Sequence, residues 1–279
     1  MPSSLFDQMI RASVNVLPYG ARPLIRDIPV VAALQRWLVA RTLIQRPFVH
    51  RINAGPAAGL FFEVMLPMDK AVWAGTYEAE FAAAVADAVS PGDVCYDVGA
   101  YRGYLTGIMA LAGASKVYAF EALPDNQTAL QRLCDLNPDL PIEVVRGAIG
   151  NFDGLGQLLT MPDSSMGKLA SSPFQTEAPP LGSSAIGIRM LDTFVEAQRI
   201  RRPNVVKIDV EGAELHVLEG ARQVIRASQP IIFLEAHSEA LEEACYEELR
   251  TLGYTSQRLG RDPKNAEDTR HLCATPTHD

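Results

Sequence analysis

The residues best suited to chemistry are acidic side chains that close successive apolar runs. Asp97, Glu121, Asp209 and Glu235 each lie at the end of such a run. The carboxyl ends of parallel strands share one edge of a sheet, and ligands of open α/β sheets bind outside that edge. We therefore expect these carboxylates to border one crevice, with the Asp97 carboxylate pointing into it.

A glycine turn follows the first of these acids. Gly99 and Gly103 stand between a strand pattern and an apolar helical stripe, and Glu121 comes about two dozen positions after Asp97, near the offset of a ribose-binding acid. This spacing predicts a cofactor that contains a nucleoside. The alternative is that the glycines only turn the chain, but that does not explain the two acids.

The same turn distinguishes between two kinds of cofactor. A dinucleotide needs further glycines where this chain has Tyr101 and Tyr104. An acid directly before the turn suits a cation better than a phosphate. The pattern therefore favours S-adenosylmethionine, which carries a sulfonium, over NAD.

A second group of ionisable residues ends two later strands. Lys207, Asp209 and Glu211 alternate along one strand end, and Glu235 and His237 end the next strand. The first of these strands should lie beside the strand of Asp97, which would place Asp209 near it. A lysine in a buried strand needs a partner, and Asp209 or Glu235 could provide one.

Three interpretations of this group remain open. Asp209, Glu211 or His237 could be a general base, and His237 has the most suitable unperturbed pKa. Asp209, Glu235 and His237 could instead bind a divalent cation, which we do not favour. Or the charges could form a structural ion-pair network.

Two other residues have simpler interpretations. Glu214 is an acid in a first helical turn, where one is expected in any case. His271 has no visible partner in the sequence and is interpreted as an ordinary surface or packing residue.

Strand patterns alternate with helical patterns, which argues for one doubly wound, mostly parallel α/β sheet. A helix through Val89, with Thr76 as its cap, precedes the sheet. A helix over 239–252 and a last hairpin through 272–274 end the chain. The predicted strands of the sheet cover 94–98, 116–121, 142–146, 204–210 and 230–237.

Two segments do not fit the alternation. Residues 1–56 form a predicted Arg-rich extension with helices over 5–17 and 29–46, and residues 1–51 carry a formal charge of +5. This extension could cap the domain, contact a second copy, or lie peripherally on an anionic membrane. Residues 147–183 are rich in Gly, Ser and Pro and should contain a hairpin or lid.

Composition excludes some classes of function. The net charge of −8 argues against nucleic-acid binding, which requires a basic surface. The four cysteines have no metal-ligand spacing and read as reduced core residues, so we expect a cytoplasmic protein. No apolar run approaches the length that spans a bilayer.

Several motifs together resemble one known family. The chain is similar to the FkbM-type family of S-adenosylmethionine-dependent methyltransferases over roughly residues 57–275. The most specific part is the Lys-x-Asp-x-Glu-Gly-x-Glu pattern from Lys207 to Glu214. The other matching stretches are 76–78, 97–104, 119–126, 191–192 and 253–254.

The resemblance implies a class I methyltransferase domain over 57–279, with a seven-stranded sheet whose last strand runs antiparallel. By similarity, Glu121 would hold the ribose hydroxyls and Ala148 would lie near the adenine. The methionine end would be surrounded by Asp97, Gly99, Ala100 and Gly103. Glu78, Tyr101 and Ala122 complete the expected cofactor pocket, although the family commonly has other residues at 101, 102 and 122.

The implied activity is O-methylation of a sugar, glycan or hydroxylated natural product, with S-adenosylhomocysteine as the product. Asp209, His237 and then Glu211 are the expected catalytic residues. The alternatives are a catalytically silent cofactor-binding or scaffold protein with the same fold and, less well supported, an NAD-dependent oxidoreductase.

Overall fold

The computed structural model describes residues 47–160, 167–169, 180–198, 200–260 and 270–277. The helices predicted over 5–17 and 29–46 lie outside these ranges. The described residues divide into two compact units. The smaller contains residues 47, 48 and 64–70, where the Met65 N–H donates to the Asp69 carboxylate over 2.7 Å. The larger contains the rest, and everything below concerns it.

Thirteen strands and eight helices are assigned within the described ranges. The strands are β1 Phe48–Arg51, β2 Phe61–Val64, β3 Val94–Val98, β4 Lys116–Glu121, β5 Ile142–Arg146, β6 Ala148–Ile149, β7 Gly154–Thr160, β8 Gly167–Leu169, β9 Gly182–Arg189, β10 Val205–Ile208, β11 Ile231–Ala236, β12 Tyr254–Leu259 and β13 Arg270–Pro276. The helices are α1 Lys70–Ala74, α2 Ala79–Ala88, α3 Tyr104–Leu111, α4 Pro124–Leu136, α5 Leu191–Gln198, α6 Glu214–Glu219, α7 Arg222–Ser228 and α8 Glu239–Thr251.

The main sheet has seven strands in the order β12-β13-β11-β10-β3-β4-β5. The five strands from β11 to β5 are parallel to one another, whereas β13 runs antiparallel to both β11 and β12. This confirms the predicted doubly wound, mostly parallel sheet with its last strand reversed. It also confirms that β10 lies beside β3, where Lys207 pairs with Asp97 in register.

Apolar side chains explain why the central strands lie in the middle of the sheet. Every residue of β3 and of β10 is buried, as expected for parallel strands covered on both faces. Tyr96, Phe120 and Phe233 are among the largest fully buried side chains. The charged residues Asp97 and Lys207 interrupt this core, and their pairing is described below.

Two of the predicted helices, α2 and α8, lie close to their expected positions. The N-cap of α8 is Ser238, whose hydroxyl accepts a hydrogen bond from the Leu241 N–H over 3.1 Å. The predicted cap at Thr76 is wrong, because α2 begins at Ala79 and the residue before it, Glu78, has a left-handed backbone. None of the helices in the described ranges is long and apolar enough to cross a membrane.

A second sheet is formed by the segment after β5. Its four strands have the order β6-β9-β7-β8, and β7 pairs antiparallel with both β8 and β9. The strands of this sheet from β6 to β8 lie within the 147–183 segment, in which a hairpin or lid was expected. The role of the segment as an insertion or an acceptor lid stays a prediction.

Candidate active site

A cavity of about 180 Å³ lies at the carboxyl edge of the main sheet, where β3, β4, β10 and β11 end. This is the edge at which open α/β sheets bind ligands. Its walls combine carboxylates, one histidine and apolar side chains. The lining residues are Tyr77, Glu78, Val98, Gly99, Tyr101, Phe120, Glu121, Ala122, Leu123, Asn126, Gly147, Ala148, Ile149, Leu158, Asp209, Val210, Glu211, Glu235 and His237.

The turn after β3 brings two strand ends into contact. The N–H groups of Gly99 and Ala100 both donate to the Phe120 carbonyl, over 3.0 and 2.9 Å. Gly99 has φ +82°, and a Cβ there would lie 1.6 Å from the Asp209 carbonyl oxygen. Only glycine fits this position, because both the backbone angle and the contact exclude a side chain.

Gly99→Ala should therefore lower the free energy of unfolding by about 3 kcal/mol or more, through backbone strain and the clash with β10. Urea denaturation followed by circular dichroism would measure this. Gly187→Ala is the matched control, because a Cβ there meets nothing within 4 Å. Equal unfolding midpoints for the two variants would contradict the assignment of a steric role to Gly99.

Glu121 lies at the end of β4 with its carboxylate fixed by backbone donors. Oε2 accepts from the Tyr101 N–H over 2.7 Å, and Oε1 accepts from the Leu123 N–H over 2.8 Å. Burial raises the pKa of Glu121, while these backbone hydrogen bonds oppose the rise. A carboxylate oxygen accepts more than one hydrogen bond, so both oxygens keep acceptor capacity toward the cavity.

Asp97 does not face the cavity as expected. Its side chain is buried, and it is not among the lining residues. Oδ2 accepts from the Thr106 hydroxyl over 2.5 Å, and Oδ1 lies 3.1 Å from Lys207 Nζ. Asp97 therefore holds the lysine and the start of α3 behind the cavity wall. This corrects the expectation that its carboxylate points into the crevice.

Lys207 connects the two strands at the centre of the sheet. Its Nζ donates to the Gly99 carbonyl over 2.6 Å and lies 3.6 Å from Asp209 Oδ2. Burial disfavours its charge, but Asp97 and Asp209 outweigh that effect and raise the pKa of Lys207. The predicted partner Asp209 is confirmed, whereas the nearer one, Asp97, was not anticipated.

Glu214 has a larger part than its position in a first helical turn suggested. The side chain is fully buried, and Oε1 accepts from the N–H groups of Val210 and Gly212 over 3.2 and 2.9 Å. The same oxygen lies 3.0 Å from His237 Nδ1. Glu214 thus fixes the loop after β10 and turns the other imidazole nitrogen, Nε2, toward the cavity carboxylates.

Those carboxylates are Asp209 and Glu211. His237 Nε2 lies 3.7 Å from Asp209 Oδ1 and 3.3 Å from Glu211 Oε2. Burial alone would lower the pKa of His237, but the hydrogen bond to Glu214 and the neighbouring carboxylates raise it to about 10. The ring therefore carries a proton at neutral pH, which corrects the expectation that His237 has a pKa suited to a base.

The pKa values of the two carboxylates are raised as well, but by a different cause. Burial raises the pKa of Glu211 to about 7, with His237 opposing the rise and Asp209 adding to it. Burial also raises the pKa of Asp209, against the effect of Lys207. A pKa of about 7 suits Glu211 to act as a base at neutral pH.

A second cluster borders the same cavity. His271 Nε2 lies 3.1 Å from Glu235 Oε2, and the ring stacks on Phe81 with centroids 4.1 Å apart. Burial raises the pKa of the adjacent Glu78 to about 6, with repulsion from Glu235 adding to it. His271 is thus a buried packing residue, as interpreted, but it also has a partner that the sequence did not reveal, because β13 places it directly beside β11.

Three of the cavity residues have an unusual backbone. Glu78, Tyr101 and Glu211 have φ values of 44°, 50° and 55°, in the left-handed region that favours glycine. Such strain costs about 1–3 kcal/mol at each position and clusters at functional sites. Only one other non-glycine residue in the described ranges, Gln229, has a positive φ.

The remaining expected cofactor residues divide between the wall and the layer behind it. Ala122 and Ala148 line the cavity together with Tyr101, whereas Ala100 and Gly103 do not. A Cβ on Gly103 would approach Leu130 and Leu133 to 2.5 Å, so this glycine permits helix packing.

The cavity suits the expected cofactor. Phe120, Ile149 and Leu158 offer an apolar wall for a flat base, and Glu121 offers acceptors for a diol. Two groups of three side chains each bring one potential metal-ligand atom within 4.8 Å of the others. They are Asp209, Glu211 and His237, and Glu78, Glu235 and His271. The set expected from the sequence, with Glu235 beside Asp209 and His237, is thus split between them.

The chain is similar to several known proteins, of which three are described. A Haloferax volcanii protein named hexuronic acid methyltransferase AglP is 32% identical over 146 residues, which cover 52% of this chain and 56% of that protein. The solved structure of methyltransferase FkbM from Methylobacillus flagellatus KT has a TM-score of 0.49 at 20% identity, covering 66% of this chain and 43% of that one. A precorrin-6y C5,15-methyltransferase from Geobacter metallireducens GS-15 has a TM-score of 0.46 at 10% identity, covering 71% and 89%.

The chain thus spans little more than half the length of its curated relative. The family match is more extensive. Residues 97–263, from the acid of the glycine turn to beyond β12, match the methyltransferase FkbM domain, and this segment is more than half of the chain. The chain belongs to the FkbM methyltransferase domain family.

Proposed function

We propose that the protein is an S-adenosylmethionine-dependent O-methyltransferase whose acceptor is a hydroxyl group of a sugar, a glycan or a hydroxylated metabolite. Membership of the FkbM domain family supports methyl transfer. The name of the Haloferax volcanii relative, a hexuronic acid methyltransferase, supports a sugar as the acceptor.

One observation carries the proposal. A single cavity joins a carboxylate suited to a ribose, Glu121, to a group suited to proton transfer, formed by Asp209, Glu211 and His237. A methyl donor and a hydroxyl acceptor must meet in such a space, because an in-line displacement requires the two reacting atoms to be held together.

The cofactor would lie along the part of the cavity lined by Glu121, Ala148 and Ile149, which we call the cofactor half. Glu121 would accept hydrogen bonds from the ribose hydroxyls, and Ala148 and Ile149 would contact the adenine. When bound, S-adenosylmethionine supplies an electrophilic methyl group on a sulfonium and leaves as S-adenosylhomocysteine. The apolar wall would exclude water from this half.

The acceptor would lie against the part of the cavity lined by Asp209, Glu211 and His237, which we call the acceptor half. Glu211 would take the proton from the acceptor hydroxyl, because its raised pKa keeps a usable basic form near neutrality. Asp209 would accept a hydrogen bond from the same or a neighbouring hydroxyl and orient it. His237, protonated and held by Glu214, would fix the position of the Glu211 carboxylate.

Glu121→Gln tests the cofactor half. We expect the dissociation constant of S-adenosylmethionine to rise at least about tenfold, because hydrogen bonds to a charged group contribute about 1.5–3 kcal/mol. The new amide would also face the Tyr101 or Leu123 N–H. Isothermal titration calorimetry measures the change. Glu143→Gln, on the exposed side of β5, is the control. No heat from the folded wild-type protein would contradict the proposed function.

A further inference from the structure

The walls of the cavity are rich in acidic side chains. Five carboxylates line it, and His237 is the one lining residue in the described ranges that can carry a positive charge. Thus neither lysine nor arginine is available on the described wall to meet an anionic group. The lining carboxylates belong to Glu78, Glu121, Asp209, Glu211 and Glu235.

The cations near the acceptor half are already paired. Lys207 lies within 4 Å of Asp97 and Asp209, His237 contacts Glu214, and His271 contacts Glu235. In the acceptor half and the layer directly behind it, six carboxyl groups are therefore accompanied by three basic side chains. The carboxylates are Glu78, Asp97, Asp209, Glu211, Glu214 and Glu235, and the cations are Lys207, His237 and His271.

The lining acids also repel one another. After burial, repulsion from Glu235 contributes to the raised pKa of Glu78, and repulsion from Asp209 contributes to that of Glu211. A single sulfonium would neutralise only part of this excess.

From this imbalance we infer that the acceptor carries no negative charge beside the methylated hydroxyl, and that a positively charged neighbour is preferred. The substrate class is a neutral sugar or, better, an amino sugar, rather than a uronic acid. This inference rests on the proposed function, and it separates the protein from the substrate named for its Haloferax volcanii relative. An acceptor carboxylate would face Glu211 and Asp209 with no free cation on the described wall.

Matched acceptors provide the test. Methyl glycosides with gluco, galacto and manno rings would each be offered in three forms, with an amine, a hydroxyl or a carboxyl group at C6. Methyl transfer would be followed by mass spectrometry. For whichever ring is accepted, we expect kcat/KM to fall in the order amine, hydroxyl, carboxyl, by about tenfold, or about 1.4 kcal/mol, at each step. Added salt should reduce the differences.

Three other results of this assay would contradict either the inference about acceptor charge or the proposal of a sugar acceptor. A uronate that is used as well as the neutral sugar would overturn the inference and leave the methyltransferase proposal intact. Uronate methylation that appears only with added Mg²⁺ and disappears with EDTA would also overturn it, because a metal ion would then balance the carboxylates. Failure of all the glycosides, with S-adenosylmethionine bound, would contradict the sugar acceptor and the inference with it.

A variant tests the origin of the preference. Glu235→Gln removes one negative charge from the wall. It should lower the ratio of kcat/KM for the amine to kcat/KM for the uronate at least about threefold, or about 0.65 kcal/mol. Glu239→Gln, on exposed α8, should leave the ratio unchanged. A melting curve checks that both variants fold. An unchanged ratio in folded Glu235→Gln would show that the wall charge does not select the acceptor.

Discussion

Replacing Glu211 with glutamine should lower kcat at least about 100-fold, because general-base catalysis contributes about 10²–10⁴-fold and an amide cannot take the proton. The affinity for S-adenosylmethionine should stay close to that of the wild type, since Glu211 is assigned to the acceptor and not to the cofactor. The best acceptor among the methyl glycosides would serve for the assay. Glu243→Gln, exposed on α8, is the control.

The pH dependence adds a second readout of the same residue. A base acts in its deprotonated form, so wild-type kcat should rise with pH and level off above about 7, the pKa to which burial raises Glu211. That rise should be absent from the profile of Glu211→Gln. A variant that keeps more than about a third of the wild-type kcat would show that another group takes the proton.

Lys207→Met should lower the free energy of unfolding by about 3–5 kcal/mol, because removing one partner leaves the Asp97 charge buried without compensation. Chemical denaturation would measure the change. The double variant Lys207→Met with Asp97→Asn should recover part of the loss, since it removes the stranded charge as well.

Lys116→Met is the matched control for this prediction. Lys116 also forms an ion pair, with its Nζ 2.7 Å from Glu143 Oε2, but that pair is partly exposed. Its loss should cost less than about 1 kcal/mol. Equal destabilisation by the two lysine variants would mean that burial of the Lys207–Asp97 pair has no energetic consequence.

Much of the fold follows from patterns that are local in the sequence. The apolar runs of β3, β4 and β10 and the turn at Gly99 are readable in order, and the general rules for parallel sheets then place Asp209 beside Asp97. This is why the lining positions of Glu121, Asp209 and Glu211 agree with the expectation. The chemistry of a strand end depends mainly on the topology of the sheet.

The other features of the site depend on contacts between residues that are distant in the sequence, and no local pattern predicts these contacts. Whether Asp97 faces a ligand or a lysine is decided by burial and by side-chain direction at one residue. His271 contacts the lining residue Glu235 because the last strand returns antiparallel beside β11, in register with it. Glu214 could have been suspected, because its motif places it three residues after Glu211, but its full burial was not visible in the sequence.

The left-handed backbone at Glu78, Tyr101 and Glu211 has an evolutionary consequence. Glycine at any of these positions would relieve strain of about 1–3 kcal/mol, so selection for heat resistance alone would favour it. Each such replacement would also delete a side chain that lines the cavity. A lineage that adapts to higher temperature must therefore gain its stability elsewhere in the chain. Non-glycine residues that persist at all three positions would indicate that selection still maintains the function of the cavity.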